Sequence, residues 1–185
     1  MANIEVIHPS ESDGYLKEVY DQILESRGKI AEIHKIQSLN PRTILRHMDL
    51  YMTLMYGKSP LSRSEREMIG VVVSQANRCA YCVKHHGEAL NHYWKDEKKL
   101  KNLIHDFRRT ELDKRDLLLC ELADIATRIP DSKKVQKYVK ELKQSGITDR
   151  AILDATLIIS YFNFVNRLVL TLEVELESNP GGYKY

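Results

Sequence analysis

The chain has 185 residues, 43% hydrophobic and 29% charged, which suits a soluble globular protein with one substantial core. Its 28 basic and 26 acidic side chains leave a formal charge of +2, spread along the chain, and so no electrostatic reason for a nucleic-acid partner. The N-terminal MANIEVIHPSESDGY lacks the apolar core of a secretory signal, and the longest apolar run, ATLIISYF, falls far short of the roughly 20 residues of a membrane span. A cytoplasmic protein with no membrane partner is expected.

Few glycines and prolines punctuate the chain, and period-3.6 patterns dominate, so the predicted fold is an all-α, compact helical bundle of about seven helices. The first helix is capped by Ser12 or Asp13 and runs to about Arg27, with Gly28 ending it. Asn40 and Pro41 open the next, in which Leu45, Met48, Met52 and Met55 form an apolar stripe assigned to the core, and Gly57 closes it. LSRSEREMIGVVVSQAN begins with two overlapping capping boxes, Ser62 with Glu65 and Ser64 with Glu67. After Arg78 a new helix starts near Cys79 and reaches about Trp94.

Further helices are expected at 96–108 (Asp96 cap), 111–128 (Thr110 with Asp113), 132–145 (Asp131 cap, Gly146 stop) and about 148–176. The segments starting at Leu61 and Ile147 share one layout, a cap, a charged first turn and a long apolar helix, which hints at two related halves. The chain reads as a single helical domain over 1–185, with 177–185 as a flexible tail, either a mobile end or a segment that orders only against a partner.

The chemistry concentrates in CAYCVKHH. On a helix, residues three and four apart share a face, so Cys79 neighbours Cys82, and Cys82 neighbours His86, with His85 flanking. Both cysteines fall in the first turn, where free N–H groups and the helix dipole favour a thiolate, and the two-residue spacer lets the sulfurs bond. A nucleophilic thiol, a resolving thiol and a base one turn away are the minimum for a dithiol redox cycle. Glu67, twelve residues before Cys79, has an ordinary role as the capping carboxylate of Ser64; in a helical hairpin it could instead orient His86. Cys120, with no cysteine or histidine in helical reach, reads as a packed small residue, and Tyr81 as a packed ring.

The spacing Glu-x11-Cys-x2-Cys-x3-His, here Glu67, Cys79, Cys82 and His86, resembles the signature of the alkylhydroperoxidase D family, within the carboxymuconolactone decarboxylase-like superfamily. NRCAYCVKHHG and SYFNFVNRL look like its uncharacterised peroxidase-related branch, and the likeness spans about 40–176. The resemblance implies an all-helical fold that assembles as a homo-oligomer, a trimer or hexamer, and a peroxidase needing no cofactor. By that analogy Cys82 is the peroxidatic thiol, Cys79 the resolving one, His86 the base, and Glu67 its partner, directly or through water. The substrate would be a peroxide, and an external dithiol, on a lipoyl-bearing or thioredoxin-like protein, would recycle the disulfide. The position between the cysteines, a histidine in well-studied members, is Tyr81 here, and His85 inherits no role.

Two other readings use the same residues. One is a dithiol–disulfide oxidoreductase or redox sensor acting on protein or small disulfides. The other is a zinc-binding structural module, although no second ligand pair stands elsewhere, since His92 and His105 are isolated. Covalent haem attachment would need histidine where Val83 stands.

Overall fold

The computed structural model describes residues 2–177. Among them are nine α-helices and no strand: α1 (Gly14–Arg27), α2 (Glu32–Lys35), α3 (Pro41–Tyr56), α4 (Arg63–Ala76), α5 (Ala80–Trp94), α6 (Glu97–Asp106), α7 (Lys114–Arg128), α8 (Lys133–Gln144) and α9 (Asp149–Leu172). The all-α expectation holds. The count exceeds the expected figure of about seven: eight of the nine answer to the segments named above, and the one-turn α2 carries no signal in the sequence pattern.

At the centre lies α4, packed against α5, α7 and α9. Every residue from Glu65 to Ser74 is buried, so this helix is covered on all sides rather than along one stripe. The main core gathers Met68, Ile69, Val72, Leu119, Ile158 and Phe162 around it, and a smaller cluster of Val19, Tyr20, Ile23, Ile44 and Met48 joins α1 to α3. The two segments that hinted at related halves become α4 and α9, which pack on each other. By length and composition α9 could cross a membrane; here Ile158, Phe162 and Val165 turn one of its faces into the core.

Local signals set most of the helix ends. Ser62 and Glu65 form the expected reciprocal box, the Ser62 Oγ accepting from Glu65 N and the Glu65 carboxylate accepting from Ser62 N at 2.6 Å. The second expected box does not form, because Glu67 turns inward. Asp113, not Thr110, caps α7, and Ser132, not Asp131, caps α8, each side chain accepting from a first-turn N–H. Helix α9 stops at Leu172, short of the expected 176, with Glu173 in the left-handed region at φ 53°. The methionine stripe of α3 is also rotated from expectation. Ile44, His47, Met48 and Met55 face inward while Met52 is exposed, because a histidine takes a place in the buried face.

The C-terminus of α3 is fastened to α4 by two arginines. Arg66 donates to the carbonyls of Leu54, Met55 and Gly57, and Arg63 also reaches the Met55 carbonyl. Cations on the last carbonyls of a helix satisfy groups that have no partner within it. This fixes α3, and with it His47, against the helix that carries Glu67.

One glycine is demanded by packing. A Cβ at Gly70 would stand 2.8 Å from the ring of Phe162, which is fully buried. Gly70→Ala should therefore lower stability by about 1 kcal/mol, or roughly 2–4 °C in Tm, because overpacking outweighs the helix preference of alanine. Thermal denaturation monitored by circular dichroism checks this, and an unchanged or raised midpoint contradicts it.

Candidate active site

The turn between α4 and α5 places the first cysteine. Asn77 ends α4, and Arg78 takes a left-handed conformation at φ 59°. The N–H of Cys79 then bonds the Ser74 carbonyl at 2.9 Å, and that of Arg78 bonds the Gln75 carbonyl at 3.0 Å. This pair of bonds is the Schellman closure of a helix C-terminus. Cys79 is at once the residue that completes α4 and the N-cap of α5. It lies just outside the helix, while Cys82 is its third residue, so only one of the two sulfurs belongs to the first turn proper.

Both thiols are buried and free, and they share a hydrogen bond. The Cys82 thiol donating to the Cys79 sulfur, helped by the Cys82 backbone N–H, holds Cys79 below the ordinary thiol range against its burial. The same bond, then burial, then the Cys79 charge push Cys82 well above that range, and a hydrogen bond from Asn166 works the other way. The two sulfurs behave as one acid: a first proton leaves readily and a second with difficulty. Asn166 is itself pinned, its Oδ1 accepting from Asn77 and its Nδ2 donating to Ser74 Oγ.

Glu67 is fully buried, with 0% exposure, and has two partners. Its Oε1 accepts from Arg63 at 2.6 Å, and its Oε2 meets His86 Nδ1 at 2.7 Å. The bond to the imidazole is direct. Arg63 lies over the Tyr56 ring, 3.5 Å from its centroid, which completes the enclosure of this charge. With a carboxylate at Nδ1, the proton of neutral His86 sits on that nitrogen and the lone pair is at Nε2. The ring packs edge-on to Phe162 at 4.4 Å.

Cys82 and His86 open onto one cavity of about 80 Å³, whose wall also includes Arg27, His34, His47, Tyr51, Tyr81 and Tyr161. Cys79 does not reach it. Cys82 is 2% exposed, so only what enters this recess can meet its sulfur. Burial lowers His34 to about 3 and His47 to about 4, the charges of His47 and Arg27 adding to the effect at His34. Tyr81 stacks on His85, and Glu177 accepts from the Tyr81 hydroxyl, from His85 Nε2 at 2.8 Å and from the Glu32 N–H. Burial would raise Glu177, but these bonds prevail and hold it at about 2.

With this geometry established, comparison places the chain. Residues 43–106 match the Carboxymuconolactone decarboxylase family. That match covers about a third of the chain and carries the resemblance to the alkylhydroperoxidase D-like, carboxymuconolactone decarboxylase-like proteins. Among solved structures, an uncharacterized peroxidase-related protein from Silicibacter sp. TM1040 is 27% identical, with a TM-score of 0.81 over 90% of this chain and 88% of that one. A second, described as an alkylhydroperoxidase AhpD core and uncharacterized peroxidase-related protein from Ralstonia eutropha JMP134, is 20% identical at 0.84, covering 96% and 93%. The debrominase Bmp8 shares the fold at 17% identity and 0.77, covering 95% and 92%. No curated protein matches the chain.

The four residues of the expected spacing divide into two hydrogen-bonded pairs, Glu67 with His86 and Cys79 with Cys82, and one member of each, His86 and Cys82, lines the cavity. Cys120 is buried and raised by burial, as a packed residue should be. Glu177, expected to begin a flexible tail, is held by three partners, and 178–185 lie outside the described residues. Among the described residues no three His, Cys, Asp or Glu side chains are gathered as a metal site, so the zinc reading has no ligand set there. Arg63, Asn166, His47 and Tyr161 escaped the sequence reading. Only Asn166, a polar residue inside an apolar run, carried a visible signal.

The buried histidines and Glu177 set the acid response. Unfolded histidine takes a proton near 6.5, whereas His47 waits until about 4 and His34 until about 3, so the unfolded state binds protons first. The histidine contribution to stability is complete above about 6.5 and falls as pH drops below it, opposed by Asp116, which burial raises to about 6 and which therefore gains stability on protonation. Glu177 behaves alike one step lower: its contribution is complete above about 4.5 and is lost as pH falls towards about 2. His47→Gln should flatten the upper segment of a Tm-against-pH curve and Glu177→Gln the lower one. Parallel curves for wild type and variants would contradict the assignment.

Proposed function

We propose that this protein is a thiol peroxidase that reduces hydrogen peroxide or small organic hydroperoxides. The observation that supports it best is the shared cavity, lined both by Cys82 and by His86, whose imidazole is held by a buried carboxylate. His86 takes the one proton the thiol pair gives up while Glu67 balances the imidazolium, and the proton that remains shifts to Cys79, which then hydrogen-bonds to the Cys82 thiolate. The thiolate attacks the terminal peroxide oxygen, the O–O bond breaks, and Cys82 becomes a sulfenic acid as the alcohol or water leaves with the proton from His86. Cys79 then displaces water to form the Cys79–Cys82 disulfide, and an external dithiol takes the oxidation away. Depression of Cys79 suits this second step, since the resolving sulfur is the more easily ionised of the two.

The cavity's small volume bears on the choice of substrate. A dry cavity of about 150 Å³ holds benzene; at about 80 Å³ this one suits a peroxide with a short stem rather than a bulky ring. A sulfur that is 2% exposed is also badly placed to attack a disulfide on another protein's surface, which favours peroxide reduction over protein disulfide exchange. For the same reason a dithiol carried on a slender arm, such as a lipoyl group, suits the reductant better than one on a broad face. Leu153, Leu157 and Phe164 expose one side of α9 at steps of four and seven, which supports homo-oligomerisation through that helix.

Cys82→Ser should abolish peroxide turnover, and Cys79→Ser should permit one oxidation per chain with a sulfenic acid that persists and is trapped by dimedone. Turnover retained in Cys82→Ser removes the reading. Glu67→Gln and His86→Gln should shift the pH profile of Cys82 alkylation upward, because the base or its counter-charge is gone; mass spectrometry of iodoacetamide adducts reads this site by site. An unshifted profile removes the relay.

A further inference from the structure

The peroxidase reading leaves a second hydrogen-bonded chain on the far wall of the cavity without a role. Gln37 Nε2 donates to the Ile33 carbonyl at 2.7 Å, and since a carbonyl only accepts, the amide orientation is fixed. The same Nε2 lies 2.9 Å from His47 Nδ1, which must therefore accept. A neutral His47 then carries its proton on Nε2, 2.7 Å from the Tyr161 hydroxyl, and donates it there. His47 and Tyr161 are each 6% exposed, so the arrangement is shielded from water.

This order of donors settles the direction of the last proton. The Tyr161 oxygen receives a hydrogen bond from His47, and its own O–H is left to donate. Among the described residues no side chain or carbonyl takes that proton, while Tyr161 and Cys82 line the same cavity. The Cys82 charge is also close enough to raise the Tyr161 hydroxyl, after burial, well above its ordinary range, which keeps it protonated.

We propose that Tyr161 is a catalytic residue that donates a hydrogen bond to the leaving oxygen of a hydroperoxide attacked by Cys82, with His47 and Gln37 as its positioning residues. This rests on the peroxidase reading above. As the Cys82 thiolate bonds the terminal oxygen and the O–O bond breaks, sulfur loses two electrons and the other oxygen becomes an alkoxide. Tyr161 stabilises that developing charge and keeps its proton; the proton that completes the alcohol is the one His86 took from the thiol pair. Donors fixed in place before charge develops lose nothing to reorganisation, and the loss of one such donor typically costs about 100-fold in rate.

The test compares leaving groups. Tyr161→Phe removes one oxygen, and its rate of Cys82 sulfenic acid formation is measured in stopped-flow with ethyl hydroperoxide, which releases a strongly basic alkoxide, and with peracetic acid, which releases weakly basic acetate. The variant should be about 10- to 100-fold slower with the first oxidant and close to wild type with the second. Alkylation by iodoacetamide should be unchanged. His47→Leu should share the selective defect, and His47→Gln, which keeps an N–H near the hydroxyl, should recover part of it. Equal slowing with both oxidants, slowed alkylation, or no slowing at all overturns the role of Tyr161. A wild-type protein inert towards both oxidants instead overturns the peroxidase reading, and this proposal with it.

Discussion

A carboxylate with no exposure to water organises this molecule. Removing the charge of Glu67 from solvent costs several kcal/mol unless partners compensate, and a buried ion left alone by loss of its partner costs about 3–5 kcal/mol. The compensation comes from Arg63 on one oxygen and His86 on the other. Each partner is in turn committed elsewhere. Arg63 bonds the end of α3 and covers Tyr56, and His86 packs on Phe162 from α9. Balancing one charge thereby ties α3, α4, α5 and α9 together around the cavity.

The same reasoning explains why the thiols behave as a unit. Two sulfurs in a dry interior cannot both be charged, so the environment supports one negative charge shared across a hydrogen bond. Access separates them: Cys82 faces the cavity and Cys79 does not. Acidity and access are thus divided between two residues three positions apart. A single exposed cysteine would need both properties at once.

What could be read from the chain alone follows from how local each interaction is. The Glu67, Cys79, Cys82 and His86 spacing lies within one helical hairpin, so periodicity and capping rules were enough to bring these residues together. Capping rules also misled at Ser64, where an apparent box competes with a buried ion pair and loses, because Arg63 and His86 satisfy Glu67 more fully than a backbone N–H can. Thr110 and Asp131 fail as caps for a simpler reason: a better-placed acceptor stands three or one residues further on, at Asp113 and Ser132. Tyr161, His47 and Gln37 come from α9, α3 and the turns between α2 and α3, and only tertiary packing brings them together. No spacing rule reports a contact across 114 residues.

Cys79 closing one helix and opening the next has a bearing on how such a protein diversifies. The hairpin, with its sulfurs, base and carboxylate, is a self-consistent cassette, and it lies wholly within the 43–106 stretch shared with the family. Half of the residues that line the cavity come from beyond that stretch, from the segment 27–34 and from α9. Substitutions outside the hairpin can therefore reshape the recess while the hydrogen bonds within the hairpin stay intact, so the contour of the recess and the side chains at its floor are separable within one chain.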